Sequence, residues 1–230
     1  RLTVSDPPPG EPALPKLNDE QAKALAAVIA ATPPAPPMLL HGVTGSGKTE
    51  VYLRAAAHVL DAGHQALMLV PEINLTPQLL GRVSARFPAR RVVAMHSGRT
   101  PAQRLQTWLL AHLGLADIVL GTRLAVFASM PRLGLIVVDE EHDPSYKQQE
   151  GARYSARDLA VWRGQRERVP VVLGSATPSL ESWHRALPGG KAQRYVRVDL
   201  RERIGAAPLP DVRLVDMRAL RLRLPREVME

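Results

Sequence analysis

The 230 residues, 45% hydrophobic and 23% charged, suit one large soluble domain or two small ones built round a buried core. The absence of cysteine excludes disulfides, zinc–thiolate sites and a cysteine nucleophile within these residues, and no apolar run is long enough to cross a membrane. A net charge of +8 points to a polyanionic partner, although so arginine-heavy a balance is equally what a GC-rich gene produces.

The chain starts at Arg1 rather than Met, with no apolar signal-peptide segment, and reads as a piece of something longer. Residues 1–16 hold five prolines between Pro7 and Pro15 and no hydrophobic period, which predicts an extended linker. A short helix over Ala22–Ala31 follows, with Asn18 as its N-cap and acidic residues in its first turn. Pro33, Pro34, Pro36 and Pro37 separate it from the first strand. Apolar runs then recur at Met38–His41, Ala66–Val70, Arg91–Met95, Asp117–Leu120, Leu133–Val138 and Val169–Leu173. Helical stretches lie between them at Glu50–Asp61, Pro77–Arg86 after Thr76, Pro101–His112 after Thr100, and Ser155–Arg166. This alternation predicts an α/β fold, a mostly parallel sheet with helices on both faces. Functional residues are expected where the strands end at their carboxyl side. Tyr195–Leu200 can add a strand, and 201–230, broken by Pro208, Pro210 and Pro225, reads as a connector leading out of the domain. No internal repeat is visible.

The sharpest motif is Gly42-Val43-Thr44-Gly45-Ser46-Gly47-Lys48-Thr49, which follows a strand and opens a helix as a P-loop does. Its glycines let backbone N–H groups turn toward phosphates, Lys48 is suited to reach the β- and γ-phosphates of ATP, and the Thr49 hydroxyl is suited to Mg²⁺. Asp139-Glu140-Glu141-His142 comes directly after the strand ending at Val138. Asp139 fits a second Mg²⁺ ligand, and Glu140 fits the carboxylate that polarises an attacking water, so the chemistry expected is hydrolysis. Ser175 and Thr177, in Gly174-Ser175-Ala176-Thr177-Pro178, stand after another strand; as residues alone they are as well read as an ordinary turn as a relay. Tyr146, Lys147, Arg153, Tyr154, Arg157 and Trp162 interleave aromatic faces with cations, a pattern suited to unpaired bases and phosphates, though Trp162 on a helix fits core packing equally. Thr122 and Arg123 at a strand end are natural phosphate ligands, with a surface salt bridge as the alternative reading of Arg123. His96 after the third run fits either a DNA contact or a plain strand end.

In this order the motifs resemble motifs I, II and III of superfamily 2 helicases. Gln21 is similar to the adenine-reading Q motif, Leu69-Val70-Pro71-Glu72 with Leu75-Thr76-Pro77-Gln78 to motif Ia, and Gly121-Thr122-Arg123 to motif Ib, while Asp-Glu-Glu-His departs from the commoner Asp-Glu-Ala-His. The stretches from Asp139 to Ala160 and from Leu173 to Glu181 resemble the primosomal replication-restart helicases over about residues 17–220, the first motor lobe. The resemblance implies a RecA-like ATP-binding lobe over 17–200 that uses ATP and Mg²⁺ and moves 3′ to 5′ on single-stranded DNA at stalled forks. It implies that Tyr146, Lys147, Arg153 and Tyr154 form a loop that senses single-stranded DNA and signals to the ATP site. His142 fits a residue coupling the acidic box to Ser175 or Thr177, and equally a satisfied loop histidine. The resemblance also implies partners in forked DNA, single-strand-binding protein and primosome or helicase-loading proteins, and a bacterial cytoplasmic, nucleoid-associated setting. A fork-binding region is expected before residue 1, and a second lobe with an arginine finger and a zinc-binding insertion after residue 230, so this stretch alone is expected to bind nucleotide and hydrolyse it slowly. Two other readings stay open at this stage: another superfamily 2 translocase, acting on RNA or in restriction, and a scaffold at forks that no longer uses its ATP fold.

Overall fold

The structure, a computed structural model, describes residues 14–31, 34–190 and 193–205. Most of the expected linker (1–13), Pro33 and the greater part of the expected connector (206–230) lie outside the described residues. Seven strands form one parallel sheet: β1 (Met38–Gly42), β2 (Gln65–Leu69), β3 (Val92–Met95), β4 (Ile118–Gly121), β5 (Leu133–Val138), β8 (Val171–Ser175) and β9 (Val196–Leu200). Their order across the sheet is β3-β4-β2-β5-β8-β1-β9. Two short strands, β6 (Lys147–Gln148) and β7 (Tyr154–Ser155), make a separate antiparallel hairpin.

The strands read as continuous apolar runs because both faces are covered, and alternate residues feed different cores. Leu40, Met68, Leu135 and Val137 pack with α1 (Asp19–Ile29), α2 (Lys48–Asp61) and α3 (Pro77–Arg86). Leu39, Leu67, Ile136 and Val138 pack against α4 (Pro101–His112), α5 (Ala156–Glu167) and the end of α6 (Leu180–Arg185).

Local chemistry sets the helix starts. Asn18 and Gln21 form a reciprocal capping box on α1, as Thr100 and Gln103 do on α4, and the Thr76 side chain caps α3. Helices α3 and α4 run over the residues that the pattern predicts. Strand β8 departs from expectation. Pro170 offers no N–H and Val169 closes the turn after α5 on Gly164, so the strand starts at Val171 and continues through Gly174 and Ser175, which pair with Leu40 and His41. Helix α6, capped by Ser179, was not foreseen, nor were the three 3-10 turns at Glu72–Asn74, Arg123–Phe127 and Pro144–Tyr146. All are too short for a period to register.

The phosphate loop, the acidic box and the Ser175 turn all leave the sheet at its carboxyl rim, from β1, β5 and β8. Since β8 lies between the other two, the Ser175 turn sits between phosphate loop and acidic box.

Candidate active site

Gly45 (φ 81°) and Gly47 (φ 80°) hold the loop after β1 in the left-handed region, where a side chain is strained. A Cβ on Gly47 would also strike the Gln21 amide and the Ile204 side chain. Helix α2 therefore starts at Lys48 on a glycine cap with no side-chain oxygen over its first amides. Those amides and the positive end of the helix dipole face a cavity of about 360 Å³ lined by Thr44, Gly45, Gly47, Lys48, Thr49, Asp139, Glu140 and Ile204. Lys48 is buried and its Nζ donates to Gly42 O at 2.8 Å. The Ser46 hydroxyl is buried without a partner. Open amides and an ammonium on one side, with two carboxylates on the other, fit a nucleoside triphosphate and its Mg²⁺.

The acidic box is fastened from two sides. Asp139 N donates to Leu69 O on β2, and Glu141 N donates to Gly174 O on β8, each at 2.9 Å. Between them Glu140 has φ 45°, a left-handed conformation in a residue with a full side chain. Such strain costs about 1–2 kcal/mol and persists only where neighbours impose it. The Tyr52 hydroxyl is fully buried beside the Asp139 carboxylate and stands where any Cβ on Gly174 would sit.

Burial, and then the Glu140 charge, push the Asp139 carboxyl above its ordinary value; Tyr52 and Lys48 pull it back in part. A carboxyl raised in the folded state gives stability that is present below its unfolded pKa and falls as pH rises through the folded one. Asp139→Asn is therefore expected to stabilise the ligand-free chain at pH 7–8, by about 1 kcal/mol, and so to raise its thermal midpoint. The gain should shrink as pH falls into the carboxylate range, which scanning fluorimetry across pH without Mg²⁺ would read.

His142 bridges the box to the next turn. Its Nδ1 lies 2.7 Å from Ser175 Oγ and 3.6 Å from Glu140 Oε2, and its Nε2 lies 3.4 Å from Thr177 Oγ1. Thr177 N donates to Ser175 Oγ at 3.0 Å, so His142, Ser175 and Thr177 form one connected patch.

Several expectations need correcting. Gln21 is 2% exposed and both ends of its amide are used within the chain: Oε1 accepts from Asn18 N at 3.0 Å and Nε2 donates to Ser46 O at 2.9 Å. It braces the phosphate loop from behind instead of offering its amide to a base. Tyr146 is 2% exposed and its hydroxyl donates to Asp139 O at 2.6 Å, so the ring is a buried peg under the acidic box and not a stacking face. Burial, and next the Asp139 charge, hold that phenol well above its ordinary pKa, so it stays a donor. Thr122 is also buried, with its hydroxyl closed off from any phosphate. The Arg123 guanidinium is engaged by Gln148 Oε1 (2.8 Å), Glu72 Oε1 (3.1 Å) and Ser145 O (3.2 Å), and acts as a brace between three loops.

What remains exposed is coherent. Lys147 and Arg153, on and beside the β6–β7 hairpin, line an open groove of about 540 Å³ with Gln148, Gln149, Tyr154 and Ser155. Tyr154 is half-buried, edge-on to Phe127 with ring centres 5.0 Å apart. Trp162 is 60% exposed, so it does not pack in the core. His96 is half-buried with its ring over Gly98.

Arg157, expected among the cations suited to phosphates, is instead buried, and with Glu141, Ser179 and Ser182, which the sequence reading missed, it forms a polar cluster behind the acidic box. The available signal was an arginine in the first turn of a helix and two serines three apart, none of which stands out alone. It also missed Ile204, whose N–H donates to Gly45 O at 2.9 Å, while Arg201 N and Glu202 N both donate to the Glu20 carboxylate. The stretch after β9 thus crosses the mouth of the phosphate cavity.

Comparison with known proteins agrees with this geometry. The DEAD/DEAH box helicase family matches residues 18–186. Replication restart protein PriA of Synechocystis sp. is 50% identical over 183 residues, 79% of this chain and 22% of that protein. PriA of Bacillus subtilis is 47% identical over 180 residues, 78% and 22%, and that of Treponema pallidum 44% over 201 residues, 87% and 30%. The chain thus spans between about a fifth and a third of the length of these relatives. Among solved structures, RecG bound to a three-way DNA junction matches 83% of this chain and 24% of its own, with TM-score 0.59 and 25% identity. The helicase MrfA bound to DNA shares the fold with TM-score 0.55 at 17% identity, covering 80% of this chain and 27% of its own. A phosphate loop and an acidic box share one sheet rim, joined through a histidine to the strand between them; the family match covers the residues that carry them and well over half of the chain, and the chain belongs to the DEAD/DEAH box helicases.

Proposed function

We propose that this chain is the ATP-binding motor lobe of a DNA helicase of replication restart, with residues 17–200 as the lobe, 1–16 as a linker into it and 201–230 as a connector out of it. The observation that carries the reading is the meeting of Lys48, Thr49, Asp139 and Glu140 round one cavity at the carboxyl rim of the sheet. In this reading the amides of Thr44, Gly45, Gly47 and Lys48, which line the cavity, and the Lys48 ammonium bind the phosphates. Thr49 and Asp139 hold Mg²⁺, which draws charge off the β- and γ-phosphate oxygens when bound. Glu140, held by its strained backbone, orients and deprotonates the attacking water. His142, on both Glu140 and Ser175, passes the state of that carboxylate to the Ser175–Thr177 turn. Lys147, Arg153 and Tyr154 grip a single strand by phosphate contact and stacking. Arg123 and Thr122 support that surface from beneath.

The finer statements rest on the relatives' names and on the resemblance of Asp139–Ala160. They are 3′-to-5′ movement, action at stalled forks, contact with single-strand-binding protein and primosome proteins, and a nucleoid setting. No helix among the described residues is long and apolar enough to cross a membrane.

The direct test is calorimetry of this chain with Mg²⁺ and a non-hydrolysable ATP analogue, with and without single-stranded DNA. Binding of both ligands supports the reading; failure to bind nucleotide refutes it. Lys48 is the one cation lining the cavity among the described residues. Charge developing on the γ-phosphate therefore meets a single side-chain cation, and a second one in such sites is worth ~10³–10⁵ in rate. Steady-state turnover by this chain with single-stranded DNA should be correspondingly slow, and turnover above about 1 s⁻¹, in the range of a complete motor, would contradict that.

A further inference from the structure

Glu141 is the most deeply buried charged residue among the described ones, at 1% exposure, and it faces away from the phosphate cavity. Its carboxylate is saturated. Oε1 accepts from Ser179 N at 2.7 Å, and Oε2 accepts from Ser182 Oγ at 2.8 Å, Ser179 Oγ at 3.1 Å and Arg157 Nη1 at 3.2 Å. Arg157 Nη1 also donates to Ser179 Oγ at 2.8 Å, and its Nε donates to Asp158 at 3.0 Å. Burial alone would lower the Arg157 pKa; Asp158 and Glu141 outweigh it, so the guanidinium stays charged.

Three parts of the site meet at this cluster. Glu141 is bonded in sequence to Glu140 and His142. Arg157 is the second residue of α5, directly after hairpin strand β7 with Tyr154. Ser179 and Ser182 open α6, directly after the Ser175–Thr177 turn. Apolar side chains of equal volume would hold three elements together at least as firmly as a buried ion pair. They would not fix direction: a carboxylate that accepts four donors sets the relative position of all three at once.

We propose that Glu141 is a positioning residue that couples the two ligand sites. Through Arg157 it ties the first turn of α5, and with it the nucleic-acid hairpin, to the backbone of Glu140 and to the turn that His142 touches. A strand seated on Lys147, Arg153 and Tyr154 thereby shifts the nucleotide site without touching it. This rests on the reading above that one groove takes nucleotide and the other a single strand.

The test is a coupling measurement that needs no turnover. A fluorescent ATP analogue with Mg²⁺ is titrated into this chain with and without saturating oligo-dT, and oligo-dT affinity is measured by anisotropy. The wild-type chain should show nucleotide affinity changed about five-fold or more by DNA, the lower end of ordinary coupling. Glu141→Gln should leave each separate affinity within about two-fold and bring the coupling factor to near one. Arg157→Lys, which keeps the charge but loses the fork that reaches Glu141, Ser179 and Asp158 together, should lose part of it. Should Glu141→Gln fail to fold, Ser182→Ala removes one donor and should still reduce the coupling about two-fold. Full coupling in whichever of these variants folds, even one with a lowered thermal midpoint, would make the cluster purely structural and overturn the proposal, as would a wild-type coupling factor of one. Absence of nucleotide or DNA binding altogether would instead strike the functional reading on which it rests.

Discussion

Lys48→Ala is expected to weaken Mg·ATP binding about a hundred-fold or more, about 2.7 kcal/mol, while leaving the fold intact. In the ligand-free chain the ammonium rests on Gly42 O, a contact that a bound phosphate would replace with a stronger, charge-assisted one. Its removal has a second effect. Lys48 is the cation that offsets Asp139 and lines the cavity with Asp139 and Glu140. Without it the cavity holds two carboxylates and repels a triphosphate. Calorimetry decides the matter, with an unchanged thermal midpoint as the folding control. Binding within a few-fold of wild type would mean that the loop amides alone capture the phosphates.

The second large effect is on stability. Arg157→Ala removes the cation and leaves Glu141, with a fully buried side chain, as an uncompensated charge. Breaking such a pair from one side costs about 3–5 kcal/mol. In a lobe of this size that is a fall in thermal midpoint of roughly 6–20 °C. Adding Glu141→Gln should recover part of the loss, because a neutral amide needs no counter-charge; a double variant no more stable than Arg157→Ala alone would refute the ion-pair explanation. The exposed pair Arg90–Asp61, 3.0 Å apart, provides the contrast: its loss should cost less than about 1 kcal/mol.

The layout of the lobe was legible because parallel strands covered on both faces must be apolar along their length, so each registers as a short run. The phosphate loop was legible because its glycines and lysine are dictated by backbone shape and phosphate charge. The side chains round it were harder to read, because the same residue type serves opposite ends. Tyr146 and Tyr154 carry identical chemistry eight positions apart, and only packing decides that one is a peg under Asp139 and the other half-open beside a groove. Gln21 has the amide that a base-reading residue needs, yet Asn18 and Ser46 are close enough to occupy it. Arg123 sits at a strand end where phosphate would be bound, but Glu72, drawn near by the 3-10 turn after β2, takes part of it. Glu141 was invisible because burial of a carboxylate depends on donors from α5 and α6, and neither serine nor arginine announces an inward orientation.

The placement of β1 has a consequence for how this lobe is made. The strand that launches the phosphate loop is not at the sheet's end but between β8 and β9, with Met38 opposite Val172 on one side and Val196 on the other. A ribosome delivers β1 early and its two neighbours last. Until Ser175 has left the exit tunnel the nucleotide strand has no partner on either flank, and until Leu200 has followed it has only one. Such long-range pairing is slow to form and leaves strand edges open meanwhile. The nascent chain therefore cannot capture ATP as an early folding aid, and acquires its ligand only as the final act of closing the sheet.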